Sequence, residues 1–130
     1  MELEQIKQLF ENLGNGNGDK FFEQVSDQVN WTVYGQHPTA GVFKSKQQFL
    51  AATIEKLQPL LKNDTISLDL VQIHISGDTA IAELLADTYS KKGNHFFNHY
   101  CWVCRFEDDK IVQVKEYLDS VAIRDLFEFQ

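Results

Sequence analysis

The second half of the chain carries four long runs rich in apolar and alternating residues: Thr65 to Ser76, Thr79 to Ser90, Phe96 to Glu107 and Lys110 to Asp119. Only short polar turns separate them. Side chains on an extended strand point to opposite faces with a period of two, so runs of this length and pattern specify β-strands. The connections Ser76-Gly77-Asp78, Lys91-Lys92-Gly93-Asn94 and Glu107-Asp108-Asp109 are too short for a crossover, which makes the four strands an antiparallel meander. Such a sheet needs one face covered, and the covering material has to come from the first half of the chain.

That first half reads mainly as helices. Leu3, Ile6, Leu9, Phe10 and Leu13 recur at spacings of three and four, the stripe of an amphipathic helix that Gly14 stops. The stretch Gly14 to Lys20 is glycine-rich, but it follows a helix and lacks the Lys-Ser/Thr ending of a phosphate cradle, so it reads as a flexible connection. Phe21, Phe22 and Val25 mark a second short helix. Asp27 to Gly35 alternates Val29, Trp31 and Val33 against polar neighbours, which predicts a first strand. Phe43 to Leu61 predicts a longer helix with Phe49, Ile54, Leu57 and Leu61 inward, Ser45 as N-cap, and Pro59 with Asn63-Asp64 closing it. Val121 to Phe127 predicts a short final helix. Early helices followed by strands define an α+β fold, and with no internal repeat the sequence reads as one domain over residues 1–130.

Charge excludes some functions. The formal net charge of −7, with no run of Lys or Arg, repels a phosphate backbone and argues against nucleic-acid binding. No stretch approaches membrane-spanning length, and the start Met1-Glu2-Leu3 lacks the basic and apolar regions of a secretory signal, so the expected location is cytoplasmic. The sequons at Asn30 and Asn63 are then coincidental. Cys101 and Cys104 form a C-x-x-C inside a predicted strand, where residues three apart face opposite ways; the pair reads as two small hydrophobes. His95, His99 and Cys101 share one strand face, but a straight strand does not converge them on one ion, so neither metal nor cofactor is expected. Ten Phe, four Tyr and two Trp are more rings than a small core requires, a surplus that suits a fold built around a pocket.

The loop Gly35-Gln36-His37-Pro38-Thr39-Ala40-Gly41-Val42-Phe43 and the stretch Phe97-Asn98-His99-Tyr100-Cys101-Trp102-Val103, followed by Asp109-Lys110-Ile111-Val112 and Glu116-Tyr117-Leu118-Asp119, resemble motifs of the NTF2-like superfamily. The element order resembles it too, most of all its SnoaL-like and ketosteroid-isomerase-like members, across essentially the whole chain. Asp109 stands where those proteins usually have glycine, a departure that touches a turn. The resemblance implies a strongly curved, mixed or antiparallel sheet wrapped around the N-terminal helices into a cone with a pocket at its open end. It also implies dimerisation through the outer sheet face. It leaves the chemistry open, because one fold hosts many functions.

Glu116 is the leading candidate for chemistry: it stands where an epoxide-hydrolase group of the same superfamily has an aspartate, and a carboxylate facing an apolar cavity becomes a usable base near neutrality. The bland alternative is an ion pair across the sheet. Asp119, three residues on, falls on the opposite face unless a bulge intervenes, and serves equally well as the cap of the last helix. His37 lies near the position of the proton-shuttling aspartate of ketosteroid-isomerase-like proteins and titrates in a suitable range, although a His before Pro in a surface loop is commonly just solvated. Asn98, Tyr100 and Trp102 alternate along one strand face and offer an amide, a phenol and an indole to one ligand. Trp31, Tyr34, Phe43 and Glu83 complete the expected binding set; the face bearing Glu83 and Asp87 is either pocket wall or polar dimer seam.

Two functions follow. One is a cofactor-free isomerase, cyclase or hydrolase in which a pocket carboxylate acts as general base on a small apolar substrate. The other is a non-catalytic ligand-binding or dimerisation module. A homodimer is expected in both, because Thr65 to Ser76 carries Leu68, Leu70, Val71, Ile73 and Ile75, apolar on both faces.

Overall fold

The computed structural model describes residues 2–129. Helix α1 (Leu3–Glu11) buries Ile6, Leu9 and Phe10, the stripe that its spacing predicts, and α2 (Gly18–Glu23) buries Phe21. Strand β1 (Val25–Val33) follows, with Val25, Val29, Trp31 and Val33 buried, and the three-residue β2 (Gly41–Phe43) returns beside it. The antiparallel β1–β2 register sets Trp31 opposite Phe43. Next come α3 (Lys46–Ala52), the one-turn α4 (Ile54–Leu57) and two 3-10 turns, Gln58–Leu60 and Lys62–Asp64. The chain then builds β3 (Asp69–Ser76), β4 (Thr79–Tyr89), β5 (His95–Glu107) and β6 (Lys110–Leu118), and ends on α5 (Ser120–Glu128).

The six strands form one curved, open sheet in the order β2-β1-β6-β5-β4-β3. β3 to β6 pair antiparallel in sequence, the expected meander. β1 joins its far side parallel to β6, so the sheet is mixed. The helices lie on one face. Ala80, Ala82, Leu84 and Ala86 of β4 and Phe96, Asn98, Tyr100, Trp102 and Cys104 of β5 are buried beneath them, while the intervening residues face outward.

Two predicted elements differ from the observed ones. The helix expected from Phe43 to Leu61 is not continuous: Phe43 belongs to β2, and the helix breaks at Thr53, whose backbone leaves helical geometry (φ −122°, ψ −83°). Thr53 Oγ1 donates to the Phe49 carbonyl at 2.7 Å, a back-bond that a threonine offers in place of straight helix continuation. Ser45 does cap the first piece, its Oγ accepting from the Gln48 N–H at 3.1 Å.

The strand expected from Thr65 begins only at Asp69. A bulge between Leu70 and Gln72 then removes Val71 from register, so Leu70, Ile73 and Ile75 all pair with inward residues of β4. The apolar content of β3 is therefore not two-sided: Val71 alone of that set turns fully outward, 58% exposed. The apolar outer surface lies on other strands, in Tyr89, Phe97 and Tyr117.

Candidate functional site

Glu116 sits on β6 directly opposite Trp102 of β5, and two positions along β1 from Trp31 its neighbour Val33 is its parallel partner. This register aims the carboxylate under the helices. Glu116 is 6% exposed, and the Trp31 indole N–H donates to its Oε1 at 2.9 Å. Trp31 is itself held by Phe49, stacked at a centroid distance of 3.7 Å, and by Trp102, edge-on at 5.0 Å. Burial is the dominant influence and pushes the Glu116 carboxyl up to about 7; the Trp31 N–H opposes it by favouring the anion. The Trp102 indole adds a weaker pull in that direction from outside hydrogen-bonding geometry.

Beside the carboxylate lies a cavity of about 20 Å³, lined by Glu116, Tyr100, Trp102, Thr39 and Thr53 among apolar side chains. That is room for roughly one water molecule. Tyr100 Oη and Trp102 Nε1 are buried without a hydrogen-bond partner among the described residues. Unpaired buried donors are costly, and both belong to residues that line the cavity. Burial, and then the nearby Glu116 charge, holds the Tyr100 phenol far above its usual range, so it stays a donor. The same two causes, in that order, push the Cys104 thiol up, and fully buried it acts as a small apolar group.

The remaining expected site residues lie elsewhere. Asn98 is buried, but its amide is spent on the backbone of Asp119, accepting from the N–H at 3.0 Å and donating to the carbonyl at 3.4 Å. It fixes the corner between β6 and α5. Asp119 is exposed and caps α5, its Oδ1 accepting from the Val121 N–H at 2.9 Å. His37 has both ring nitrogens engaged: Nδ1 accepts from the Thr39 N–H at 3.2 Å, which leaves Nε2–H to donate to the Tyr34 carbonyl at 2.8 Å. It braces the loop that presents Thr39 to the cavity. Gly35 makes this bracing possible, with φ at +109° and no room for a Cβ between the His37 ring and Ser120. Tyr34 and Glu83 are on the exposed outer side, Tyr34 stacked on Tyr117 at 4.8 Å and Glu83 beside His74 at 3.4 Å. The Glu83 face is thus not the cavity wall. Phe43 reaches the site only indirectly, packing edge-on against Phe49.

Thr39, Phe49, Thr53, Leu57 and Ile123 line the cavity and were not among the expected site residues. For three of them a signal exists: Phe49, Thr53 and Leu57 are spaced by four and share one helical face, and the polar member of an inward stripe marks a cavity. Among the described residues no three His, Cys, Asp or Glu side chains are grouped to hold a metal ion, and no helix is long and apolar enough to cross a membrane.

A curved sheet covered on one face by helices is the fold this chain shares with solved NTF2-like structures. Residues 6–114 match the SnoaL-like domain, and the chain belongs to that family. A curated relative, the dimerizing cyclase phiC of a fungal species, is 28% identical over 121 residues, covering 91% of this chain and 53% of its own length. The chain thus spans about half of that relative. Among solved structures, an NTF2-like protein from Burkholderia thailandensis superposes with a TM-score of 0.80 at 17% identity, covering 95% of both chains. A protein with ketosteroid isomerase-like fold from Catenulispora acidiphila, in complex with trimethylamine, superposes at 0.70 with 10% identity, covering 95% of this chain and 91% of its own. At those identities the two structures establish the fold alone.

Proposed function

We propose that the chain is a cofactor-free enzyme of isomerase or cyclase type, in which Glu116 removes a proton from an acidic C–H of a small, mostly apolar carbonyl compound. The observation that carries this reading is a buried carboxylate titrating near 7 beside two unpartnered donors. The Glu116 anion takes the proton; the electron pair left on carbon moves onto the carbonyl oxygen, and Tyr100 Oη–H and Trp102 Nε1–H donate to that oxygen as charge develops. The protonated Glu116 then returns its proton to another atom of the product. The relative named a cyclase supports this class of chemistry.

A second reading, a binding or dimerisation module without turnover, draws on the cavity volume of about 20 Å³, which is below what a substrate occupies. In both readings the outer sheet face, with Phe97, Tyr117 and Tyr89 exposed, packs on a second copy.

The two readings separate on exchange of the α-hydrogens of 2-indanone in D2O, followed by proton NMR. The enzyme reading predicts exchange that rises with pH through about 7 and is lost in Glu116→Gln. Exchange equal in parent and variant contradicts it.

A further inference from the structure

The small cavity at Glu116 is not isolated. On the other side of Ile54, Ile66 and Leu68 lies a surface groove of about 350 Å³, and these three side chains line both spaces. The three side chains form the narrow boundary between the space beside the carboxylate and the groove. The boundary stands on weakly anchored backbone. Ile54 begins the one-turn α4 immediately after the break at Thr53. Ile66 belongs to an irregular stretch whose two ends are tied down: Leu61 bridges to Ser90 and Asp64 is held by Lys91, while the Leu68 N–H donates to the Leu13 carbonyl at 3.1 Å. Between these anchors Thr65 and Ile66 make no hydrogen bond among the described residues, and Asn63 and Asp64 just before them sit in left-handed conformations. Segments with few hydrogen bonds open locally at low free energy.

We infer that Ile54, Ile66 and Leu68 form a gate, and that the molecule reaching Glu116 is elongated and apolar with an uncharged outer end that lies in the groove. This rests on the cavity being the ligand site. The groove wall offers Leu13, Phe22 and Leu50 for an aliphatic or aromatic tail. Its charged lining consists of Asp19 and Glu55, with no Lys or Arg, and Glu116 waits at the inner end. A carboxylate on the outer end of such a molecule meets the like charge of Asp19 and Glu55. Once the gate side chains move aside, groove and cavity form one space within the usual range for small-molecule sites, roughly 300–1,000 Å³. The gate thus supplies the volume that the narrow cavity lacks.

The test uses the full chain and three probes: 1-hexanol, 1-octanol and sodium octanoate. Binding is read by NMR from the indole N–H signals of Trp31 and Trp102, the two tryptophans of the sequence, and from the methyl signals of Ile54, Ile66 and Leu68. The gate predicts that the alcohols shift both sets of signals, with affinity rising about fourfold per added methylene, and that octanoate binds at least tenfold (about one order of magnitude) more weakly than octanol. Ile66→Trp plugs the gate and lowers octanol affinity. Thr65→Phe, at an exposed groove position that leaves the core untouched, lowers it as well. Indole signals that shift without the gate methyls mean that access lies elsewhere, and no shift with any probe means that the groove takes no such ligand; either overturns the inference. So does octanoate binding as tightly as octanol. None of these outcomes moves the pH dependence of 2-indanone exchange, which tests the Glu116 assignment separately.

Discussion

Glu116 concentrates the energetics of the site in one side chain. Its rise from an ordinary 4.5 to about 7 corresponds to about 3 kcal/mol of preference for the protonated form in the folded state. Because the folded value lies above the unfolded one, the associated stability is fully present below about pH 4.5 and is lost as pH rises through about 7. Glu116→Gln removes that dependence while keeping the shape and an oxygen for Trp31. The variant is therefore expected to be more stable than the parent by about 1–3 kcal/mol at pH 8 and nearly equal to it at pH 5, as read from urea denaturation at each pH. A variant less stable than the parent at pH 8 would mean that the charge is held by an ion pair. Trp31→Phe has the opposite logic. It keeps the stack on Phe49 but deletes the 2.9 Å donor, so the Glu116 carboxyl should titrate still higher and the protein should lose about 1–3 kcal/mol at pH 8.

At the scale of elements, Asp119 and Glu116 have separate duties although they are three residues apart. The turn from β6 into α5 gives Asp119 the helix cap, and Asp119→Ala is expected to cost about 1 kcal/mol in thermal unfolding while leaving the Glu116 titration where it is. Period-two alternation in β1, β4, β5 and β6 made the buried faces legible in the sequence, including the shared face of Asn98, Tyr100 and Trp102. What alternation cannot show is a bulge. One extra residue at Val71 makes β3 read as apolar on both faces, when its large side chains mostly share one. The break at Thr53 was equally hidden, since the apolar spacing of Phe49, Leu57 and Leu61 runs straight across it. Asn98 was legible as an inward residue, yet its partner is the backbone of Asp119, 21 positions away, and a local pattern carries no information about such a contact.

Over the whole molecule, one sheet serves two surfaces. Its inner face holds the carboxylate and the rings around it; its outer face exposes Phe97 (43%) and Tyr117 (47%), beside the Tyr34 stack. If that outer face joins two copies, Phe97→Asp combined with Tyr117→Asp should sediment as a monomer while retaining the parent's titration at Glu116, and a parent that is monomeric at micromolar concentration contradicts the dimer. The family resemblance in the sequence anticipated the fold, but that Glu116 rather than Asp119 turns inward, and how Ile54, Ile66 and Leu68 border the cavity beside it, depend on packing that only the three-dimensional arrangement reveals. This protein buries a carboxylate that titrates near neutrality. Carboxyl-resolved carbon NMR across a pH titration, with Glu116→Gln to assign the signal, measures it directly. The expected midpoint lies near 7; a midpoint at the ordinary 4.5 would show a solvated or ion-paired Glu116 and end its assignment as the base.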